Sequence, residues 1–315
     1  MTVFVTGGTG FVGQAVVHQL HATGYSIRIL ARQPGNERVQ AMVHRYQAAV
    51  QPGDIFDPVA LEIGLQGADA VIHLIGIISE AGQSTFENVH SRGTQLLVTA
   101  MQKTKVRRLI HMSALGTRPR AASRYHQSKW AAEEIVRQSG LDWTIFRPSI
   151  IYGPGDQFVN LFAKMLRKSP LLPVMGKGLG KLQPIAVEIV ADCFVKALAE
   201  PRSIGQTLDL CTQEILTFDE VMDQIMTVTG RKRLKCHLPI EFARGLASSL
   251  EWFFPTVLYR APPLNRDQLI MLEEETVGNP WPAKDLFGFQ ASTFEEGIAR
   301  YLRPALVAGV SGTGT

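Results

Sequence analysis

The stretch Val5-Thr6-Gly7-Gly8-Thr9-Gly10-Phe11-Val12-Gly13 constrains this chain more than any other. An apolar run, Val3 to Val5, leads into it, and a helical pattern from Gln14 to Thr23 follows. Gly8-x-Gly10-x-x-Gly13 between a strand and a helix is the setting in which a turn cradles a dinucleotide pyrophosphate. Glycines permit the tight turn and let backbone approach the phosphates. The helix N-terminus adds unpaired N–H groups and the positive end of its dipole. Gly7, Thr9, Gly10, Phe11, Val12 and Gly13 are therefore the expected cradle.

The first half of the chain repeats the same alternation. Ser26 to Leu30, Ala70 to Ile75, Leu109 to Met112 and Trp143 to Phe146 are short, nearly continuous apolar runs. Helical patterns lie between them at Glu37 to Ala48, Val59 to Leu65, Phe86 to Lys103 and Ser123 to Gln138. Strands apolar on both sides need helices on both faces, so the expected fold class is α/β, a doubly wound parallel Rossmann sheet. Residues 1–150 are the expected nucleotide-binding domain, with ligands at the carboxyl ends of the strands. After Arg147, Pro148, Gly153, Pro154 and Gly155 break the pattern. Residues 183–212 are expected to rejoin the sheet through strands near Gln183 to Val187 and Thr207 to Leu210, with a helix at Ile189 to Leu198 between them. Residues 151–182 and 213–302 are read as a smaller, mostly helical substrate lobe, and 303–315 as a flexible tail.

The end of the second strand bears on which dinucleotide is bound. A carboxylate about 20 residues past the fingerprint would bond the ribose 2′-hydroxyl of NAD. The strand instead ends Ile29-Leu30-Ala31-Arg32-Gln33. Arg32 offers a planar, doubly donating head for a 2′-phosphate, so NADP(H) is expected over NAD(H). Asp54, with Ile55 after it, follows a short third strand and is placed to meet the adenine edge.

With these features in hand, the chain resembles the short-chain dehydrogenase/reductase superfamily in its extended or atypical branch. The residues that carry the resemblance are Thr6 to Gly13, Gly53-Asp54, Ala70 to Gly76 and Tyr125-x-x-x-Lys129. Within that branch it is similar to bacterial relatives of the NADPH-binding accessory subunit of respiratory complex I. The matching stretches there are His111 to Gly116, Gly140 to Ile145, Arg147-Pro148-Ser149 and Gly153 to Asn160. The resemblance implies that Leu74, Ile75, Gly76 and Pro148 also line the cofactor. It further implies that Tyr125 is the catalytic acid/base, with Lys129 lowering its pKa and reaching the nicotinamide ribose, and that Ser113 is the substrate-bonding hydroxyl. Three places depart from the pattern. Leu115 stands where extended members carry that hydroxyl, His90 stands where an asparagine is usual, and Val187-Glu188-Ile189-Val190 replaces Val-Asp-Asp-Val. These departures bear on turnover and leave binding untouched.

Other features narrow the classes. The net charge is +4, and the densest basic run, Arg231, Lys232, Arg233 and Lys235, reads as a solvated loop, so a nucleic-acid partner is not expected. Cys193, Cys211 and Cys236 have neither zinc-ligand nor disulfide-framework spacing, which points to reduced thiols in a cytoplasmic setting. With the first strand beginning at Thr2 or Val3 and no run of about 18 uncharged apolar residues, neither a signal peptide nor a membrane span is expected. His73 and His111 read as hydrogen-bonded core residues and His126 as solvent-facing, and no metal site is expected. Asp156 is placed to cap and start a helix, or that helix's apolar side, with Phe158 and Phe162, walls a substrate pocket above the nicotinamide. Phe242, Leu246, Leu250 and Phe253 form a helical stripe that packs on the lobe core. Alternatively that stripe forms a quinone or isoprenoid groove, or a peripheral contact at the inner face of a membrane. The leading expectation is an oxidoreductase acting on a small-molecule, apolar or quinone-like carbonyl or alcohol. The alternatives are a non-catalytic accessory or assembly protein of a quinone-linked membrane complex, or a redox sensor.

Overall fold

A computed structural model describes residues 1–253, 265–274 and 276–303. In chain order the first part runs β1 (Thr2–Thr6), α1 (Phe11–Ala22), β2 (Ser26–Ala31), α2 (Glu37–Tyr46), β3 (Ala49–Pro52), α3 (Pro58–Leu65) and β4 (Ala70–His73). A single π-helical turn, Glu87–Arg92, then leads into α4 (Gly93–Thr104), where one uninterrupted α-helix was expected. β5 (Arg108–Met112), α5 (Arg124–Arg137) and β6 (Asp142–Pro148) follow. The second part comprises β7 (Ile151–Tyr152), α6 (Val159–Lys168), β8 (Leu171–Met175), β9 (Lys181–Leu182), β10 (Ile185–Ala186), α7 (Val187–Ala197) and β11 (Gln206–Leu210). It continues through β12 (Leu216–Thr217), α8 (Phe218–Thr229), β13 (Leu234–Leu238), α9 (Ile240–Phe253), α10 (Arg266–Glu273), α11 (Trp281–Phe287) and α12 (Phe294–Leu302).

The main sheet has seven strands in the order β11-β6-β5-β4-β1-β2-β3, and every pairing is parallel. β1 shows why both faces need cover. Val3, Phe4 and Val5 are fully buried. Val3 and Val5 join the core under α1, α2 and α7, while Phe4 joins the opposite core under α3, α4 and α5. The strand order reverses between β1 and β4, and there the crossovers diverge and open a crevice at the strand ends.

The segment expected to rejoin the sheet divides in two. β11 does join it, beside β6, but β10 pairs only with β7 in a separate ribbon. Ile150 carbonyl accepts the Ile185 N–H at 2.9 Å, which holds that stretch off the sheet edge. A third core, built from Tyr152, Val159, Val174, Val221, Ile225, Phe294 and their neighbours, lies under α6, α8 and α12. Phe158 and Phe162 pack edge to face with Phe218 in this core. The basic run is more structured than a solvated loop: Lys235 lies in β13 and pairs with Asp219 and Asp223, and Arg233 Nε donates to Leu166 carbonyl. Among the described side chains of α9, Ala243 and Ala247 are buried against Leu269, while Phe242 is exposed. The side chains of Leu246, Leu250 and Phe253, residues 254–264 and the tail from Pro304 lie outside the described residues.

Candidate functional site

The glycine turn is held by close backbone packing. Gly7 has φ +78°, and a Cβ there would lie 3.0 Å from the Ile75 nitrogen, so the turn sits directly against the chain leaving β4. A Cβ on Gly13 would come within 2.2 Å of the Gly7 carbonyl oxygen, which is why α1 can start so close to the turn. Gly10 differs: its Cβ would meet only the Gly7 oxygen, at 3.3 Å, and otherwise open space. Gly10 is also the N-cap of α1 and brings no side-chain cap, so the first N–H groups of the helix stay unpaired by side chains. An open Cα face beside uncapped helical N–H groups fits a pyrophosphate. Gly10 is exposed and Thr9 and Phe11 are half-buried around that opening, whereas Val12 is buried in the core.

Arg32 leaves the end of β2 with 78% of its side chain exposed. Its Nε is 3.8 Å from Asp54 Oδ2, so the carboxylate missing from its own strand reaches it from the neighbouring loop. Asp54 also accepts the Phe56 N–H at 3.1 Å, which fixes the loop. Ile55 is buried in the core, where a Cβ on Gly93 would lie 3.1 Å from its Cγ1. Leu74 is buried and its N–H donates to Thr6 carbonyl. Pro148 accepts the Leu115 N–H at 2.9 Å, which ties the ends of β5 and β6 together.

Gly76 joins the two ends of the crevice. A Cβ on it would lie 3.5 Å from His90 Nε2 and 3.7 Å from Lys129 Nζ. His90 Nε2 accepts the Ile77 N–H, so Nδ1 carries the proton and donates to Ser128 Oγ at 2.8 Å; Ser128 in turn donates to Tyr125 carbonyl. The histidine thus clamps the loop after β4 onto α5, at the position where the family pattern has an asparagine. Burial, then the Lys129 charge, lowers its pKa to about 2, which keeps it neutral and the clamp intact.

α5 carries Tyr125 and Lys129 on one face. Its N-terminus is capped twice. Ser123 Oγ accepts the His126 N–H, and the Asp267 carboxylate on α10 accepts both the Arg124 and Tyr125 N–H groups, at 2.9 and 2.7 Å. No sequence signal near Tyr125 pointed to Asp267, because it arrives from 142 residues away. Glu133, one turn after Lys129, is fully buried and pairs with Arg137 and Arg147, which fixes α5 to β6. Lys129 Nζ donates to Met112 carbonyl at 2.7 Å, and burial lowers its pKa to about 8. Tyr125 is ringed by Phe86, His90 and His126, all edge-on. Among the described residues its hydroxyl has no hydrogen-bond partner. Burial pushes that phenol up to about 12, the reverse of the lowering expected from a nearby ammonium.

Three further expectations change. His126 is buried rather than solvent-facing; its Nδ1 lies 3.4 Å from Thr117 Oγ1, and burial lowers its pKa to about 4. His73 is bonded as expected, to Thr6 and Thr94, but both ring nitrogens of His111 are buried without a partner. Ser113 is buried with its hydroxyl turned to Thr117, and it makes no hydrogen bond to Tyr125. Leu115 is buried too, packed where a Cβ on Gly278 would lie 2.6 Å from it. Among the described residues no cluster is arranged to hold a metal, the three cysteines are free, and no helix is long and apolar enough to cross a membrane.

A family model described as NAD(P)H-binding matches residues 7–201. A ceramide reductase of Caulobacter vibrioides is 30% identical over 75% of this chain and 73% of its own length. The mitochondrial NADH dehydrogenase [ubiquinone] 1 alpha subcomplex subunit 9 of Arabidopsis thaliana is 28% identical over 88% of this chain and 70% of its own. In structure, the dTDP-glucose 4,6-dehydratase DesIV of Streptomyces venezuelae, solved with NAD, superposes with a TM-score of 0.75 over 96% of both chains at 21% identity. With the glycine turn, the strand order and these likenesses together, the chain belongs to the NAD(P)H-binding family.

Proposed function

We propose that the protein is an NADP(H)-dependent oxidoreductase acting on an apolar carbonyl or alcohol, quinone-like substrates included. The observation that carries this reading is the Tyr125–Lys129 end: a phenol with an unengaged hydroxyl, one helical turn from a buried ammonium. The nicotinamide, when bound, supplies or takes up the hydride. Tyr125 gives its proton to the substrate oxygen as the carbonyl is reduced, and takes one back from an alcohol in the reverse direction. Burial that holds the phenol protonated suits it as the donor. Lys129 reaches the ribose and favours the phenolate that proton transfer leaves behind. Arg32 holds the 2′-phosphate. Its present partner is an exposed pair at 3.8 Å, worth under about 1 kcal/mol, whereas a phosphate accepts charge-assisted, bidentate bonds. An apolar substrate agrees with the name of the ceramide reductase relative.

The accessory reading rests on a different observation. Leu115 fills the place of the family hydroxyl, and the Ser113 hydroxyl bonds Thr117 rather than Tyr125. The complex I subunit among the relatives agrees with it, and with a membrane-complex partner. The test is to load the protein with NADPH and offer long-chain ketones, aldehydes and quinones. Oxidation by one class is expected, falling about 10²–10⁴-fold in Tyr125→Phe while NADPH affinity stays within a few-fold. Unchanged turnover in that variant would remove Tyr125 from the reaction. No oxidation by any class, with a cellular defect in Gly10→Val but not in Tyr125→Phe, would establish the accessory reading.

A further inference from the structure

Two segments of the chain contain no carboxylate. Residues 157–187 carry Lys164, Arg167, Lys168, Lys177 and Lys181, and residues 224–240 carry Arg231, Lys232, Arg233 and Lys235. The whole chain has a net charge of only +4, so this is a local concentration rather than a general excess.

The fold stitches the two segments together. β13 pairs in parallel with β8, Leu234 N–H donates to Pro170 carbonyl, and Arg233 Nε donates to Leu166 carbonyl. The chain entering β13 is therefore fastened to the last turn of α6 and the start of β8. Arg167, Lys168, Arg231 and Lys232 are exposed there and form no ion pair among the described residues. Lys235, further along, is paired with Asp219 and Asp223 and adds little. Beside the four cations stand two leucines in direct cross-strand register, Leu171 and Leu234, 48% and 71% exposed. Register partners share a face, so both present methyl groups to the same side.

Cations alone would fit any polyanion. A pair of protruding leucines gains nothing on a phosphodiester backbone; it gains on a surface that is anionic outside and apolar just beneath. We propose that this edge docks on a bilayer bearing anionic lipid. Leu171 and Leu234 enter the boundary between headgroups and acyl chains, and Arg167, Lys168, Arg231 and Lys232 meet lipid phosphates. The proposal is independent of hydride chemistry and stands whether or not Tyr125 turns over.

The test is sedimentation of the full chain with vesicles of phosphatidylcholine alone and of phosphatidylcholine with about one-third phosphatidylglycerol. Binding is expected only to the anionic vesicles, and it is lost in high salt. Each juxtamembrane cation is worth about fivefold, so Arg231→Ala/Lys232→Ala should bind about 25-fold more weakly. Leu171→Ser/Leu234→Ser, with every charge kept, should lose about tenfold or more. Leu171→Ala/Leu234→Ala serves in its place if the serine pair lowers the melting temperature. Equal binding to neutral vesicles would overturn the proposal. So would wild-type vesicle binding by the leucine variants, or displacement from vesicles by a single-stranded oligonucleotide as readily as by excess anionic lipid; the last result would assign the edge to nucleic acid.

Discussion

The glycine turn and the Tyr125 end lie along one crevice, yet they are built in opposite ways. The turn is made by contacts among residues a few positions apart, Gly7, Gly10 and Gly13, closed by the adjacent pair Leu74 and Ile75. The Tyr125 end is assembled from residues far apart in sequence. Asp267 of α10 caps its helix, His90 ties it to the loop after β4, and Glu133 ties it through Arg147 to β6. A binding function written in short-range backbone geometry survives most changes elsewhere in the chain. A catalytic function that needs several remote groups in place at once is easier to lose, and Leu115, which stands where the resemblance implies a hydroxyl, lies at that end and not at the turn.

The sharpest way to break this comparison is at the turn. Gly10→Val places its side chain in space bordered only by the Gly7 oxygen, where the proposed pyrophosphate would sit, so the variant should fold and lose NADPH affinity by ~100-fold or more, about 3 kcal/mol by calorimetry. Gly13→Ala, whose Cβ would lie 2.2 Å from backbone oxygen, should instead lower the melting temperature. If Gly10→Val binds normally, the phosphates lie elsewhere and the contrast fails. A smaller effect is expected at the other end. Asp267→Ala removes a cap supplied by a remote element, at ~1 kcal/mol of stability. Turnover should fall several-fold with NADPH affinity unchanged. A parallel loss of cofactor affinity would show that the two ends are one cooperative unit.

The same division explains what could be read from the amino acids. The alternating apolar runs mark β1, β2, β4, β5 and β6 and the helices between them, because strands buried on both faces leave an unbroken apolar signal, as Val3-Phe4-Val5 does. The stretch around Ile185 carries that signal as well, but which strand it pairs with depends on Ile150, and that contact is invisible in the pattern. His126 reads as polar and exposed; its burial depends on how Tyr125 and Thr117 pack around it. The Tyr125 pKa direction follows from spacing if charge dominates, and here desolvation dominates instead. Asp267 has no local signature, since its partners are backbone N–H groups of a helix in another part of the chain.

The central claim is that the turn and Arg32 together hold NADP(H) in preference to NAD(H). Calorimetric titration of wild type and Arg32→Ala with both dinucleotides tests it directly. Wild type should bind NADPH more tightly than NADH, and Arg32→Ala should lose about 1.5–3 kcal/mol for NADPH with NADH unchanged, the value of a hydrogen-bonded contact to a charged group. Equal affinity of the wild type for the two dinucleotides, or no loss on removing Arg32, would contradict it.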